Sequence, residues 1–138
     1  MTNEELWLDY LIRAKNRIIA TQTLYSLQSY ADVVRESQEI VELALKGLLR
    51  QMRVNTPHTH DVSPILLQNK ALLPEKLQAH AEKLAKISRQ SRRDREMSYY
   101  GSEDLTPSKF YTEEDATEAL SQATFVVETI WAVIGGVV

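Results

Sequence analysis

The stretch that decides the fold is residues 30–52, YADVVRESQEIVELALKGLLRQM. Small and apolar residues recur in it at steps of three and four, the spacing of one face of an α-helix: Val33, Ser37, Ile40, Ala44, Leu48 and Met52. Four more apolar residues widen this stripe: Val34, Val41, Leu45 and Leu49. A stripe of this width predicts a helix that is buried by several neighbours.

Three further segments show the same helical spacing, whereas the alternation typical of strands is almost absent. The first helix is predicted around the stripe Trp7, Leu11, Ala14, Ile18, Thr21 and Tyr25. A third long helix is predicted from Pro74 to about Tyr99. The last helix is predicted around the stripe Ala116, Leu120, Ala123, Val127, Ile130 and Ile134.

The segments between these helices carry loop and short-helix signals. Residues 55–61 are polar and contain a proline, so they are predicted to form a loop. Residues 64–67 are predicted to form a short helix, with Ser63 as its cap and the proline in its first turn. Residues 101–109, which include Pro107, are predicted to form a second loop.

The last helix has clear predicted ends. Thr112 is followed by three acids, which is typical of a hydroxyl cap with carboxylates near the positive end of the helix dipole. Gly135 and Gly136 are predicted to end the helix. Four long helices and one short helix joined by modest loops predict an all-α, up-and-down four-helix bundle with one extra short helix, in a single domain over residues 1–138.

The composition is that of an ordinary globular protein and excludes several kinds of chemistry. Hydrophobic residues make up 43% and charged residues 25% of the 138 residues, and the net charge is −3. The absence of cysteine excludes disulfides, thiol nucleophiles and thiolate metal sites. Any attraction to a polyanion has to come from a local basic patch.

Three histidines, His58, His60 and His80, are the remaining candidates for metal ligands. His58 and His60 are two residues apart in a predicted loop, which is a poor match to the spacing of metal-binding histidine pairs on helices. Together with Asp61 they are expected to cap the short helix and to pack against the second long helix. His80 is expected at the surface, and neither a metal nor a cofactor is predicted.

Two other features allow a structural interpretation beside a functional one. Glu42 and Lys46 are four residues apart in the order that favours a local ion pair. Trp131 and the apolar end of the chain either form an exposed partner-binding face or pack in the core, and core packing is the expectation.

The most apolar stretch, residues 125–138, is too short to span a membrane. It has 14 residues, including Glu128, whereas a membrane-spanning helix needs ~20 apolar residues. The acidic start lacks a signal-peptide pattern, so a cytoplasmic protein is predicted.

The third long helix is predicted to carry the functional site. From Lys83 to Arg95 it has six basic residues against one acid, Asp94. Its core stripe is apolar at first and then changes to Ser88, Ser91, Arg95 and Ser98. Polar groups on a buried stripe are costly unless they are paired, so this end is expected to face a cleft, a partner or water.

Two interpretations of the basic run stay open. It is either a solvated face, with or without pairing to the acidic last helix, or a binding site for nucleotide or RNA. The binding interpretation is favoured by Tyr99 and Tyr100, which follow the arginines directly. Arginine binds phosphate bidentately, and tyrosine rings provide stacking surfaces for bases.

Three stretches in this order resemble the HEPN family (higher eukaryote and prokaryote nucleotide-binding domain). The second helix has SQEIVELALKGLL at residues 37–49, similar to the family's Glu-x-x-x-Lys helix. The following loop has Thr-His-Asp-Val at residues 59–62, similar to the family's His-Asp-Leu entry into a short helix. The third long helix ends in RDREMSYYG at residues 93–101.

The resemblance also shows where this chain departs from the ribonucleases of the family. Those members use an Arg-x4–6-His motif, often written Arg-x4-His-x-Tyr. Aligned on Tyr100, the chain has Arg93 at the arginine position and Ser98 at the histidine position. A serine hydroxyl does not exchange protons near neutral pH as histidine does. Helical geometry places Arg95, but not Arg93, on the stripe of the third helix, which makes Arg95 the better predicted phosphate ligand.

The leading hypothesis is a HEPN-type binding module that is catalytically silent. A nucleotide, RNA or the partner protein would bind at the basic end of the third long helix. The residues predicted to bind nucleotide or RNA there are Arg92, Arg93, Arg95, Ser98, Tyr99 and Tyr100. The resemblance also implies a homodimer and a small nucleotidyltransferase partner, in a toxin–antitoxin or stress-type system. The alternative is a metal-independent ribonuclease in which Ser98, Tyr100 or His60 replaces the missing histidine. A third possibility is a structural dimer whose basic patch only increases solubility.

Overall fold

The computed structural model describes residues 2–56, 58, 60–100 and 106–137, and for residues 92–100, 107 and 137 it describes the backbone alone. Its α-helices are α1 (Asn3–Ser26), α2 (Tyr30–Gln51), α3 (Ser63–Gln68), α4 (Glu75–Gln78), α5 (Ala81–Tyr100), α6 (Pro107–Phe110) and α7 (Glu113–Ile134). Two 3₁₀ turns are formed by Lys70–Leu72 and Gly135–Val137. Within the described ranges there is no strand, which confirms the all-α prediction.

The central helix of the bundle is α2, which packs against α1, α5 and α7, while α5 packs only lightly on α7. Side-chain bonds fix the directions of the helices. Asn3 at the start of α1 donates to the carbonyl of Arg50 at the end of α2, at 2.9 Å. Tyr25 at the end of α1 shares a 2.8 Å hydrogen bond with Thr117 in the first half of α7. Gln90 of α5 bonds to Gln122 of α7, and Lys83, which is earlier on α5, contacts Phe125, which is later on α7, so these two helices are also antiparallel. The long helices α1, α2, α5 and α7 therefore run up, down, up and down, as predicted.

Burial follows the predicted stripes closely. In α1 the buried residues are Trp7, Leu11, Ala14, Ile18 and Thr21. In α2 both the stripe and its widening residues are buried, with Met52 partly buried against the same core. Burying an apolar residue against a neighbouring helix removes its surface from water and stabilises that contact. Because the apolar face of α2 is wide, it packs against several helices at once, and α2 is therefore the central helix.

The predicted third long helix is interrupted, which corrects the prediction of one helix from Pro74 to about Tyr99. Pro74 caps the short α4 instead of lying in its first turn. The backbone N–H of His80 bonds to the carbonyl of Leu77 at 3.0 Å, a tight turn that separates α4 from α5. The turn keeps the three-and-four spacing of Leu77, Ala81 and Leu84, all fully buried. Periodicity alone therefore could not reveal the interruption.

Three smaller expectations were also wrong. Ser63 is the first residue of α3, and Val62 occupies the cap position. The predicted loop 101–109 overlaps the helical turn α6, closed by a 3.0 Å bond from the N–H of Phe110 to the carbonyl of Thr106. His80 is partly buried, and its ring centroid lies 5.6 Å from that of Phe125 in an edge-to-face arrangement.

The predicted boundaries and packing of α7 are confirmed. Thr112 and Asp115 form a reciprocal capping box, in which each side chain accepts from the other residue's backbone N–H. The helix ends at Ile134, directly before Gly135. Trp131 packs against the core, and the ammonium of Lys15 lies 4.5 Å from its ring centroid. In the described part of the chain, no helix is both long and apolar enough to cross a membrane.

Helices α1 and α2 approach each other most closely at Gly47. A Cβ atom at this position would lie 3.3 Å from the backbone oxygen of Trp7, and 3.3 Å from side-chain atoms of both Tyr10 and Leu11. These distances are shorter than ordinary van der Waals contacts, so the glycine sets how near the two helices lie.

Candidate functional site

The predicted site residues lie in the C-terminal part of α5. The helix backbone continues through Arg92, Arg93, Arg95, Ser98 and Tyr99 to Tyr100. Their side chains lie outside the described residues, so their roles stay predictions. The structure does describe the surroundings of the preceding turn, where Ser88, Gln90 and Ser91 begin the polar half of the helix.

A cavity of about 220 Å³ opens at the level where α5 becomes polar. It lies between α2, α5 and α7. Polar residues from the three helices form its walls: Ser37, Gln38, Gln90, Ser91, Asp115, Glu118 and Gln122. The rings of Phe110 and Tyr111 lie at its edge, 4.9 Å apart and nearly perpendicular. Of the polar residues on the stripe of α5, Ser91 lines this cavity, whereas the side chains of Arg95 and Ser98 lie outside the described residues and their placement stays a prediction.

The cavity walls combine loosely bonded amides with a buried hydroxyl. The amide nitrogen of Gln122 donates to Gln90 Oε1 and to Glu118 Oε1, both at 3.3 Å. These distances are at the weak end of hydrogen bonding, so a ligand can replace the contacts at little cost. Ser37 is 2% exposed, and in the described structure its Oγ has no hydrogen-bond partner. A buried hydroxyl of this kind is costly unless something bonds to it.

The first half of α5 carries basic residues on its exposed surface. Lys83, Lys86 and Arg89 are exposed, and the ammonium of Lys83 lies 3.8 Å from the ring centroid of Phe125. Among the side chains described, no ion pair joins these residues to the acids of α7. This half of the basic run is therefore a solvated face that does not pair with the described acids of the last helix.

The loop before α3 is joined to α5 by a small polar network. Asp61 Oδ1 accepts from the Ser63 N–H at 2.9 Å and from the Ser88 hydroxyl at 3.0 Å. Ser88 Oγ in turn accepts from the buried Val62 N–H at 3.0 Å. The serine on the stripe of α5 therefore positions the entry to α3, and Asp61 binds the first N–H of that helix as expected.

His60 and Glu42 form a second contact between this loop and α2. His60 Nδ1 lies 2.6 Å from Glu42 Oε1, while Lys46 Nζ donates to Glu42 Oε2 at 3.0 Å. The predicted Glu42–Lys46 ion pair is confirmed, but it is part of a three-residue group. His60 packs against the second helix as expected, and His58 is exposed. Over the described residues, no group of three or more His, Cys, Asp or Glu side chains is arranged to bind a metal ion.

The environment of Asp61 lowers its pKa. Partial burial raises the pKa of this carboxyl, but hydrogen bonds from Ser63 and Ser88 and the nearby charge of Arg89 outweigh that effect. Because the pKa in the folded protein is below that of the unfolded chain, the ionised carboxylate stabilises the fold. That contribution is present above the unfolded pKa, about 3.9, and is lost as the pH falls through the folded value.

Asp61→Asn is therefore expected to reduce the free energy of unfolding by about 1 kcal/mol at pH 7, because the hydrogen bonds lose their ionised acceptor. The difference from the natural protein should begin to shrink below about pH 4, where the unfolded chain becomes protonated, and should shrink further as the pH falls through the lower pKa of the folded protein. Urea unfolding at pH 7 and pH 3 measures both values. Asp9→Asn, which changes an exposed acid of α1, serves as the control. An equal loss at both pH values would show that the charge is not what stabilises this network.

Sequence reasoning missed the glutamines of the cavity and the link between Ser88 and Asp61. Gln38, Gln90 and Gln122 are on three helices that only the fold brings together. One signal was available: Ser37 and Ser88 stand at stripe positions that otherwise hold apolar residues. A hydroxyl on a core stripe indicates a polar partner or a cavity. In the structure Ser88 bonds to Asp61, and Ser37 lines the cavity.

Comparison with known proteins gives one match. The family model described as HEPN domain matches residues 7–133. Neither a curated protein nor a solved structure matches the chain significantly.

Proposed function

The chain belongs to the HEPN domain family, and from this premise we propose that it binds nucleotide or RNA without cleaving it. The phosphates bind at the basic end of α5, through Arg92, Arg93 and Arg95. Tyr99 and Tyr100 provide stacking surfaces there. The observation that carries the proposal is the polar cavity, which opens beside α5 directly before this arginine cluster.

The charge distribution of α5 supports binding of an anion. Lys83, Lys86 and Arg89 are exposed and extend the arginine cluster towards the start of the helix. With a net charge of −3, the whole protein does not attract nucleic acid, so the attraction is local. A run of guanidinium groups on one helix favours phosphate oxygens, which accept paired N–H bonds.

Loss of catalysis follows from the residue at the histidine position. In the family's ribonuclease motif a histidine moves the proton, and Ser98 takes its place here. Losing a general acid or base lowers the rate of a reaction by about 10²–10⁴-fold. The arginines still bind and neutralise phosphate, so binding persists where cleavage does not.

The salt dependence of RNA binding tests this function. If three arginines contact phosphates of a single strand, the affinity is expected to fall about 20-fold between 50 and 200 mM salt. Fluorescence anisotropy of a labelled single-stranded RNA in chelator-containing buffer gives the affinity at each concentration. No binding at 50 mM salt would favour the structural dimer, whose basic patch only increases solubility.

A second candidate function, metal-independent RNA cleavage, is favoured by the contact of His60 with Glu42. A carboxylate oxygen 2.6 Å from an imidazole nitrogen fixes the orientation of the ring, as in acid–base catalysis. His60 is 45% exposed, so RNA can reach it. This function predicts cleavage in chelator that is lost in His60→Ala and in Arg95→Ala.

The partners belong to the same proposal. We propose a homodimer in the cytoplasm that works with a small nucleotidyltransferase in a toxin–antitoxin or stress-type system. The family membership supports these partners. Light scattering of the purified protein measures the oligomeric state, and co-purification with the product of a neighbouring nucleotidyltransferase gene tests the second partner.

A further inference from the structure

We propose that the cavity between α2, α5 and α7 is a nucleobase subsite that selects bases carrying an exocyclic amino group. This inference rests on the proposed function, because it assumes a nucleotide or RNA whose phosphates bind at the arginine cluster. It adds which part of the ligand enters the protein and which bases are preferred.

The size of the cavity suits one ring system. Its volume of about 220 Å³ is below the 300–1,000 Å³ typical of pockets that enclose a whole drug-sized ligand. A base therefore fits inside, while the sugar and phosphate stay outside. The ring of Phe110 is 42% exposed at the edge of the cavity and provides a stacking surface for the entering base.

The charge of the cavity excludes the phosphate. The described residues that form its walls include two carboxylates, Asp115 and Glu118, and no basic side chain. These two carboxylates repel an anion that enters the cavity. The phosphates are therefore directed to the cationic surface of α5, and the uncharged base is directed to the cavity.

The polar groups of the cavity select the edge of the base. Carboxylates accept hydrogen bonds and do not donate them, so Glu118 favours bases with an amino group, which are adenine, cytosine and guanine. Uracil presents carbonyl oxygens on either side of its single N–H and would place them near these acids. Asp115 is held by its capping bonds to Thr112, which leaves the exposed Glu118 as the adaptable acceptor.

Two features show that the cavity is prepared for a polar ligand. The buried hydroxyl of Ser37 has no hydrogen-bond partner in the described structure, so a base atom that bonds to it removes a cost already present. Gln122 holds its neighbours through two bonds of 3.3 Å, and its amide can turn to a base edge when these weak contacts are replaced.

Binding of nucleosides, which carry no phosphate, tests the proposal. Adenosine, cytidine, guanosine and uridine are titrated into the natural protein, with binding followed by NMR or calorimetry. The three amino-bearing nucleosides are expected to bind at least about fivefold more tightly than uridine. Glu118→Gln should reduce this preference. Glu114→Gln removes the same charge one turn earlier on α7, outside the cavity, and should leave the preference unchanged.

A steric variant tests the location. Ala119 lines the cavity, so Ala119→Leu is expected to abolish nucleoside binding, whereas Ala132→Leu, at an exposed position of the same helix, should not. Equal affinity for uridine, or unchanged nucleoside binding in Ala119→Leu, overturns the inference. If Ala119→Leu does not fold, Glu118→Gln decides the question, because it changes an exposed residue.

The same variants separate this inference from the proposed function. RNA that binds in a salt-dependent manner without any nucleoside preference leaves the arginine site standing and overturns the nucleobase subsite. If nucleosides bind with the expected preference but RNA does not bind, the nucleobase subsite stands and the arginine site is overturned. Binding of neither overturns both.

Discussion

Ser98→His is expected to cleave RNA in chelator at least about 100-fold faster than the natural protein. The substitution restores the family's Arg-x4-His-x-Tyr spacing, with Arg93 five residues before the new histidine and Tyr100 two residues after it. An imidazole titrates near neutral pH and can move the proton of the attacking 2′-hydroxyl, whereas the serine hydroxyl cannot. The measurement is the rate of cleavage of a labelled RNA at pH 7.

Glu82→His is the matched control for this gain of activity. It places the same imidazole at an exposed position of the same helix, 16 residues earlier and away from the cavity. It should bind RNA and not cleave it. If Ser98→His binds RNA as tightly as the natural protein and still does not cleave it, the missing histidine is not what silences the site.

Gly47→Val is expected to reduce the free energy of unfolding by about 1–3 kcal/mol, because it overpacks the contact of α1 with α2. The first added carbon alone would lie 3.3 Å from the backbone of Trp7, and valine adds two more carbons. The gain in helix propensity on replacing glycine is under about 1 kcal/mol and does not compensate. This loss is a large fraction of the roughly 5–15 kcal/mol that stabilises a typical domain.

Urea unfolding of Gly47→Val and Gly136→Val measures this effect. A Cβ atom at Gly136 meets no other atom within 4 Å, so that variant should be as stable as the natural protein. Equal stability of Gly47→Val and the natural protein would show that α1 moves away from α2 without cost, and that the glycine does not set their distance.

The sequence was sufficient to predict the four long helices, because their buried stripes repeat at three and four residues over many turns. Leu11 and Leu48, for example, were assigned to core faces by spacing alone, and both are fully buried. The interruption at His80 and the turn at Pro107 were not predictable in this way. The interruption at His80 keeps the helical spacing of the apolar residues. The turn at Pro107 is a single turn, too short to produce a periodic pattern in the sequence.

The candidate site was only partly predictable for a related reason. The change of α5 from apolar to polar after Leu84 indicated a cleft, because buried hydroxyls need partners. Which residues form the opposite walls depends on how the helices pack, and Gln38 and Gln122 are separated by most of the chain. The bond between Ser88 and Asp61 is likewise a contact of the fold, 27 residues apart in sequence.

The most direct test of the central claim compares two triple variants of α5 that remove the same charge. In one, Arg92, Arg93 and Arg95 are replaced by alanine; in the other, Lys83, Lys86 and Arg89 are. The measurement is the affinity for a labelled single-stranded RNA at 50 mM salt. The account predicts that the first variant loses at least about tenfold in affinity and that the second loses much less. Equal losses, or a larger loss in the second variant, would contradict a phosphate site at the end of α5.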